Sequence, residues 1–271
     1  MGCAHVVPMG TPREGILSVL ETLAPLRFAE SWDNVGLLVD PDERVAFEHA
    51  LITIDLTDAV LDEALEKKVD FIVSYHPPLF SGLKRLRWSV AKERLVLRLV
   101  RAGLTVYSPH TALDAVAGGM TDWLAQALGP GRVKPIVPSA LDTKCGAGRL
   151  VELDQPVTVE DAVQRVKTHL QLTRVRLSRA ERPGLVSTVA VCPGAGGSVF
   201  EQLSHADLLI TGEMRHHDVL DRTARGSSVL LTDHTNTERG YLAYLAQDLA
   251  LRCPGLAVSL AESDHDPLMI V

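Results

Sequence analysis

Imidazole and carboxylate side chains gather at four points of this 271-residue chain. They are Ser74-Tyr75-His76-Pro77-Pro78, Ser108-Pro109-His110-Thr111-Ala112-Leu113-Asp114, Thr211-Gly212-Glu213-Met214-Arg215-His216-His217-Asp218 and Asp233-His234-Thr235-Asn236-Thr237-Glu238. Neutral imidazole and carboxylate are the ligands that Zn²⁺, Mn²⁺, Fe²⁺ and Ni²⁺ share, and a bridging carboxylate can hold two such ions together. The chemistry these residue types point to is a binuclear divalent-metal site. His234 and Glu238, at i and i+4, would lie on one face of a helix. Each piece also has a plainer reading. Thr235-x-x-Glu238 has the form of a capping box, His76 before two prolines could be a turn histidine, and Asp114 an ordinary helix-start carboxylate. Glu213, His216 and His217 share one helical side by their i, i+3, i+4 spacing. They form a rival metal site, an outer shell to another one, or a solvated acidic helix start, and His216 and His217 are candidates for proton transfer.

The elements that would carry these residues alternate. Apolar positions Ile16, Leu17, Leu20, Leu23 and Leu26 mark a first amphipathic helix. The β-branched run Ala50-Leu51-Ile52-Thr53-Ile54 reads as a strand, and Thr57-Asp58 caps the helix after it. Strands at 71–73 and 104–107 and helices at 90–100 and 120–128 continue the theme. The Pro- and Gly-bearing connection at 136–148 separates an N-terminal half, 1–135, from a C-terminal half, 149–271, with strands at 149–153, 186–191, 208–210, 229–231 and 256–260. Thr158-x-x-Asp161 opens a helix to Leu170. The fold class expected is α/β, two halves with mixed, largely parallel sheets covered by helices. In such sheets ligands gather beyond the carboxyl ends of the strands, where the polar loops fall. Pro193-Gly194-Ala195-Gly196-Gly197-Ser198 also follows a strand and could cradle a phosphate, although Val199 breaks the dinucleotide fingerprint. Trp32-Asp33-Asn34-Val35-Gly36 could wall a pocket or anchor a loop.

Composition narrows the classes. The chain is 46% hydrophobic and 23% charged, enough to bury a core. Its 27 Lys and Arg against 34 Asp and Glu give a net charge of −7, which argues against direct nucleic-acid or anionic-membrane binding. The four cysteines, Cys3, Cys145, Cys192 and Cys253, form no CxxC pair, so a reducing compartment is expected. No 18-residue apolar run crosses a membrane, and roughly the first ten residues read as a loose leader without a secretory signal. With no basic nuclear cluster either, the expectation is the cytoplasm, with nuclear entry open. No nucleophile elbow is present, so covalent hydrolase chemistry is disfavoured.

Several blocks taken in order resemble one family. Ala29-Glu30-Ser31-Trp32-Asp33-Asn34-Val35-Gly36-Leu37-Leu38, Ser74-Tyr75-His76-Pro77-Pro78, His110-Thr111-Ala112-Leu113-Asp114, Leu209-Ile210-Thr211-Gly212-Glu213-Met214-Arg215-His216-His217 and His234-Thr235-Asn236-Thr237-Glu238-Arg239-Gly240 are similar to the signature blocks of the Nif-three-like family, also labelled GTP cyclohydrolase I type 2. The resemblance runs from about residue 14 to Asp266-Pro267-Leu268 and is nearest the animal branch. It implies two α/β halves facing across a cleft, two divalent metal ions per chain (Zn, Mn, Fe or Ni) and homohexamers built from dimers. Carried over by position, the ligands are His76, Asp114, His234 and Glu238, with Glu238 bridging. Tyr75, His110 and Glu213 are outer residues or weak ligands. Tyr75 stands where many bacterial members carry a second histidine, which weakens one metal position, since a phenol is a poor ligand until deprotonated. The connection at 136–148 lacks a domain of very roughly 100 residues that some members insert.

The leading expectation is therefore a metal-dependent hydrolase in which activated water attacks a phosphoester, amide or ring C=N bond, with nucleotides among the substrates the family label suggests. The alternative is a ring-like scaffold or transcription co-regulator that works through protein partners and keeps its metals for stability. A metallochaperone or metal sensor is the third.

Overall fold

The computed structural model describes residues 10–182 and 184–269, so the leader expected at the N-terminus lies outside the described residues. The first elements are β1 (Thr11–Pro12), α1 (Arg13–Leu23), β2 (Gly36–Val39), β3 (Ala46–Phe47), β4 (His49–Thr53), α2 (Asp58–Glu66), β5 (Phe71–Ser74), α3 (Ala91–Ala102) and β6 (Thr105–Ser108). The Thr57 hydroxyl accepts from the Val60 N–H and starts α2 as the sequence predicts, and Gly103, at φ +67°, ends α3 in the left-handed conformation. A short helix unread in the sequence, α4 (His110–Ala115), follows β6, and α5 (Met120–Gln126) follows it.

Next come β7 (Gly131–Pro138), β8 (Gly146–Val157), α6 (Val159–His169), β9 (Arg176–Ser178), β10 (Val186–Ala195), α7 (Gly197–Phe200), β11 (Leu208–Glu213), α8 (His216–Ala224) and β12 (Ser228–Leu231). The chain finishes with α9 (Leu242–Arg252) and β13 (Ala257–Leu260). It divides into two compact units. One comprises residues 1–112 with 242–271, the other 113–241.

In the first unit the sheet order is β13-β4-β5-β6-β2. The four strands β13, β4, β5 and β6 run parallel, with β2 antiparallel at one edge. Side chains alternate across it. Leu51, Ile72 and Val106 join Val60, Leu61 and Ala64 of α2 and Leu95 and Leu99 of α3 in one buried cluster. The register sets Thr53 beside Ser74 and Val73 beside Tyr107, so the carboxyl ends of β4, β5 and β6 lie next to one another. The segment after β13 is stitched to this unit. Glu63 accepts from the backbone N–H groups of Glu262 and Ser263, and Asp264 Oδ2 accepts from the Ile54 N–H at 2.7 Å.

In the second unit the order is β7-β8-β10-β11-β12-β9, parallel only through β10-β11-β12. Period-two alternation buries both faces. Val189, Val191, Leu208, Ile210 and Leu230 meet α5 and α6, whereas Ala190, Cys192, Leu209, Val229 and Leu231 pack with Phe200 of α7 and Val219 of α8.

Two sequence readings are corrected here. Residues 136–148 are no linker, because 131–138 form β7 and pair with β8 in a hairpin. Pro135 and Pro138 sit on this edge strand, where a missing N–H costs no ladder bond. The division falls instead at 112/113 and 241/242, because β13 pairs with β4 of the first unit, Ala257 beside His49 and Leu260 beside Ile52, rather than closing the second sheet.

Candidate functional site

In the first unit the three parallel strand ends deliver Asp55, Tyr75-His76 and His110. The backbone holds them: the Tyr75 and His76 N–H groups donate to Thr53 and Ile54, and the Ser108 hydroxyl donates to the Tyr75 carbonyl at 2.8 Å. His76 Nδ1 lies 2.9 Å from Asp55 Oδ1. His110 Nδ1 lies 2.8 and 2.9 Å from the two oxygens of Asp33, whose side chain is fully buried. Carboxylates placed on Nδ1 fix ring orientation and tautomer and aim Nε2 away from themselves, the arrangement that orients metal-ligating histidines. The rings of Tyr75, His76 and His110 stand 5.0 to 5.5 Å apart at tilted or edge-on angles, so Tyr75, only 1% exposed, acts here as packing between two imidazoles.

His110 adopts φ +29°, a left-handed value that costs energy for a residue with a Cβ. Asp33 holds it there, accepting from the ring and from the Thr111 N–H and hydroxyl. Burial pushes the Asp33 carboxyl up, but the His110 and Thr111 hydrogen bonds outweigh it and hold the group below the ordinary carboxylate range. In Trp32-Asp33-Asn34 the anchors are thus Asp33 and Asn34, whose amide donates to the Leu79 carbonyl, while the Trp32 ring itself is 59% exposed.

In the second unit the register sets Cys192, Thr211 and Leu231 side by side, so Gly194, Glu213 and His234 follow from adjacent strand ends. His234 Nδ1 lies 3.1 Å from Glu213 Oε1, and His234 Nε2 lies 3.6 Å from Glu238 Oε1. Glu238 is 2% exposed. The spacing of His234 and Glu238 works through a single 3₁₀ turn, Thr235–Thr237, rather than through an α-helix. Thr235 stands inside that turn instead of ahead of it, so the capping-box reading fails. Asp233 precedes His234 at φ +67°, a second non-glycine residue in the left-handed region beside these side chains.

Two glycines make room. A Cβ on Gly194, which has φ +60°, would fall 2.8 Å from Glu238 Oε1 and 3.0 Å from His234 Nε2. A Cβ on Gly212 would fall 2.7 Å from the His234 Cα and from the Gly194 carbonyl oxygen. The N–H groups of Gly194 and Gly196 are used internally, donating to Thr237 Oγ1 at 2.8 Å and Thr211 Oγ1 at 2.9 Å. Residues through Ala195 remain strand. The glycine-rich segment is therefore the floor of the His234–Glu238 pair, and two of the N–H groups a phosphate cradle would use are already engaged.

This donor set fits a divalent cation. The Glu213 carboxylate on Nδ1 aims His234 Nε2 toward Glu238 Oε1 at 3.6 Å. An imidazole nitrogen and a buried carboxylate oxygen set 3.6 Å apart are the donor types that divalent cations take.

The remaining site residues are placed as follows. Glu213 ends strand β11 and does not share a helix with His216 and His217, which open α8, are exposed, and place their rings 5.4 Å apart. Asp114 lies in α4, half-buried, its carbonyl accepting from the Thr121 hydroxyl at 2.8 Å. Asp33 and Asp55 were missed as orienting carboxylates. Asp55 directly follows a strand read from sequence, so the same strand-end rule that selected His76 would have found it.

The fold and these strand-end residues define a two-unit α/β protein equipped with carboxylate-oriented histidines. The chain belongs to the Duf34/NIF3 (NGG1p interacting factor 3) family, whose model matches residues 12–267. It is 34% identical to NIF3-like protein 1 of Mus musculus over the full length of both chains. It is 42% identical to the NIF3 homolog of Schizosaccharomyces pombe, covering 93% of this chain and 92% of that one. The mouse alignment spans 376 positions, 105 beyond the 271 residues here, so that relative carries extra sequence this chain lacks. Among solved structures, a Bacillus cereus protein related to NIF3 matches with TM-score 0.84 at 18% identity, covering 97% of this chain and all of that one. Reduced HcgD from Methanocaldococcus jannaschii matches with TM-score 0.81 at 22% identity, covering 93% and 98%. The described residues contain no helix long and apolar enough to cross a membrane.

Proposed function

We propose that this chain is a divalent-metal-dependent hydrolase in which His76, Asp114, His234 and Glu238 would serve as the metal ligands. The observation that carries the reading is His234 held between two carboxylates, Glu213 at 3.1 Å on Nδ1 and buried Glu238 at 3.6 Å from Nε2, over a glycine that leaves the space open. Zn²⁺, Mn²⁺, Fe²⁺ or Ni²⁺, when bound, lowers the pKa of water and polarises the bond under attack. Glu213 and Asp55 keep the two imidazoles in the ligating tautomer, and His216 or His217 passes the proton. The substrate class is a phosphoester or nucleotide.

Elemental analysis of protein purified without chelator tests this. Close to two equivalents of metal per chain, lost in His234→Ala, together with phosphoester or nucleotide hydrolysis abolished by Asp114→Asn, is the expected result. Metal near zero in both proteins would overturn it. A second reading, a scaffold working through protein partners in transcription, is favoured by the name of the Saccharomyces cerevisiae relative, NGG1-interacting factor 3, 36% identical over 267 residues. Under that reading Asp114→Asn changes stability and leaves partner capture intact. In either role we place the chain in homohexamers, in the cytoplasm with access to the nucleus.

A further inference from the structure

Trp32 and Phe80 are 59% and 49% exposed, although aromatic side chains of this size ordinarily gain by burial. Their exposure is not the looseness of a floppy loop. Asp33, next to Trp32, is locked to His110 and Thr111, and the Asn34 amide grips the Leu79 carbonyl, next to Phe80. The two rings stand 6.0 Å apart at 54°, and the Trp32 ring meets that of His110 at 6.2 Å, which in turn meets that of His76 at 5.5 Å. A continuous ladder of rings thus runs from solvent to His76, one of the carboxylate-oriented histidines.

Charge adds the second half of the argument. Between Asp70 and Glu93 the sequence holds Lys84, Arg85, Arg87 and Lys92 and not one carboxylate, in a chain whose net charge is −7. Arg87 is taken by Glu93, whereas Lys84 and Arg85, four and five residues beyond Phe80, are exposed. An aromatic platform followed by exposed cations suits a ligand that is planar at one end and anionic at the other.

We propose that Trp32 and Phe80 form a stacking platform for the conjugated ring of an anionic ligand, with Lys84 and Arg85 attracting its charge. The inference rests on the hydrolase reading only for what happens after binding. All residues of the platform belong to the first unit, and stacking needs no metal.

Binding of adenosine 5′-monophosphate and of ribose 5-phosphate to the full chain, measured by calorimetry for wild type, Trp32→Leu, Phe80→Leu and Lys84→Ala/Arg85→Ala, tests it. The nucleotide should bind saturably, at least tenfold more weakly in Trp32→Leu or Phe80→Leu, by the usual size of a base–aromatic stack. The double charge variant should weaken both compounds, and ribose 5-phosphate should be indifferent to Trp32. No saturable nucleotide binding, or equal binding by wild type and Trp32→Leu, overturns the proposal. Circular dichroism and metal content of the same variants separate the two readings. Normal metal with no ring-dependent binding sinks the platform alone, whereas absent metal with ring-dependent binding sinks the hydrolase alone.

Discussion

His234 Nδ1 lies 3.1 Å from Glu213 Oε1, joining the carboxyl end of β11 to the residue that opens the turn after β12. The contact orients the ring with Nε2 toward Glu238, so under the proposed metal reading Glu213 would tune metal affinity without touching the metal. Glu213→Gln should weaken metal binding by about 10- to 100-fold, the usual effect of losing such an orienting carboxylate. Competition with a chromophoric chelator reads this directly, and an unchanged affinity would refute the orienting role.

Gly194 should tolerate no side chain. Gly194→Ala places a methyl group 2.8 Å from Glu238 Oε1 on a backbone at φ +60°. Strain and displacement together should cost about 2 kcal/mol of stability, and metal content should fall with it. Wild-type metal stoichiometry in the variant would mean that Gly194 does not floor the site.

Asp33→Asn tests the clamp on His110. The carboxylate is buried and accepts from the imidazole, the Thr111 amide and the Thr111 hydroxyl. Charged hydrogen bonds of this kind stabilise by about 2 kcal/mol in total once desolvation is subtracted. The Asp33 pKa is depressed in the folded state, so its stabilisation is present above the ordinary Asp pKa and disappears as pH falls through the lower folded value. Urea unfolding at neutral pH should show a loss of roughly that size for Asp33→Asn, shrinking at low pH.

Glu63 offers a cleaner pH signature, remote from the histidines. Burial raises its pKa, but the Glu262 N–H, Lys67 and Ser263 more than compensate and hold it at about 2, against an unperturbed 4.5. Its contribution is fully present above pH 4.5 and fades as pH falls toward about 2. With Lys67 partly solvent-exposed, the stabilisation is about 2 kcal/mol. Glu63→Gln should therefore destabilise at pH 7 and converge with wild type near pH 2, as measured by guanidinium titration.

How legible was all this in the chain? Thr57 and Thr158 announced their helices, and both accept the expected N–H, because capping is local chemistry. The strands ending at Thr53, Ser74 and Leu231 were visible as β-branched runs, and with them the positions of His76 and His234. What escaped depends on distant pairing. β7 hid behind prolines that an edge strand tolerates, and β13 looked like the last strand of the sheet preceding it. Asp33 carries no helical or strand periodicity of its own, so its role emerges only from the atoms it faces, whereas Asp55 stands at a strand end legible in the sequence. Glu213, assigned to a helix by its spacing to His216 and His217, proved to be a strand residue because β11 runs to its very position before Arg215 starts the helix.

The pairing of β13 with β4 also dictates an order of assembly. Residues 113–241 form an uninterrupted unit, able to collapse as soon as they leave the ribosome, whereas the five-stranded sheet waits for Ala257–Leu260 to reach a partner at His49–Thr53. Closing so long a loop is entropically slow. Until then β4 presents a bare parallel edge, the surface most open to capture by a chaperone or by another unfinished chain.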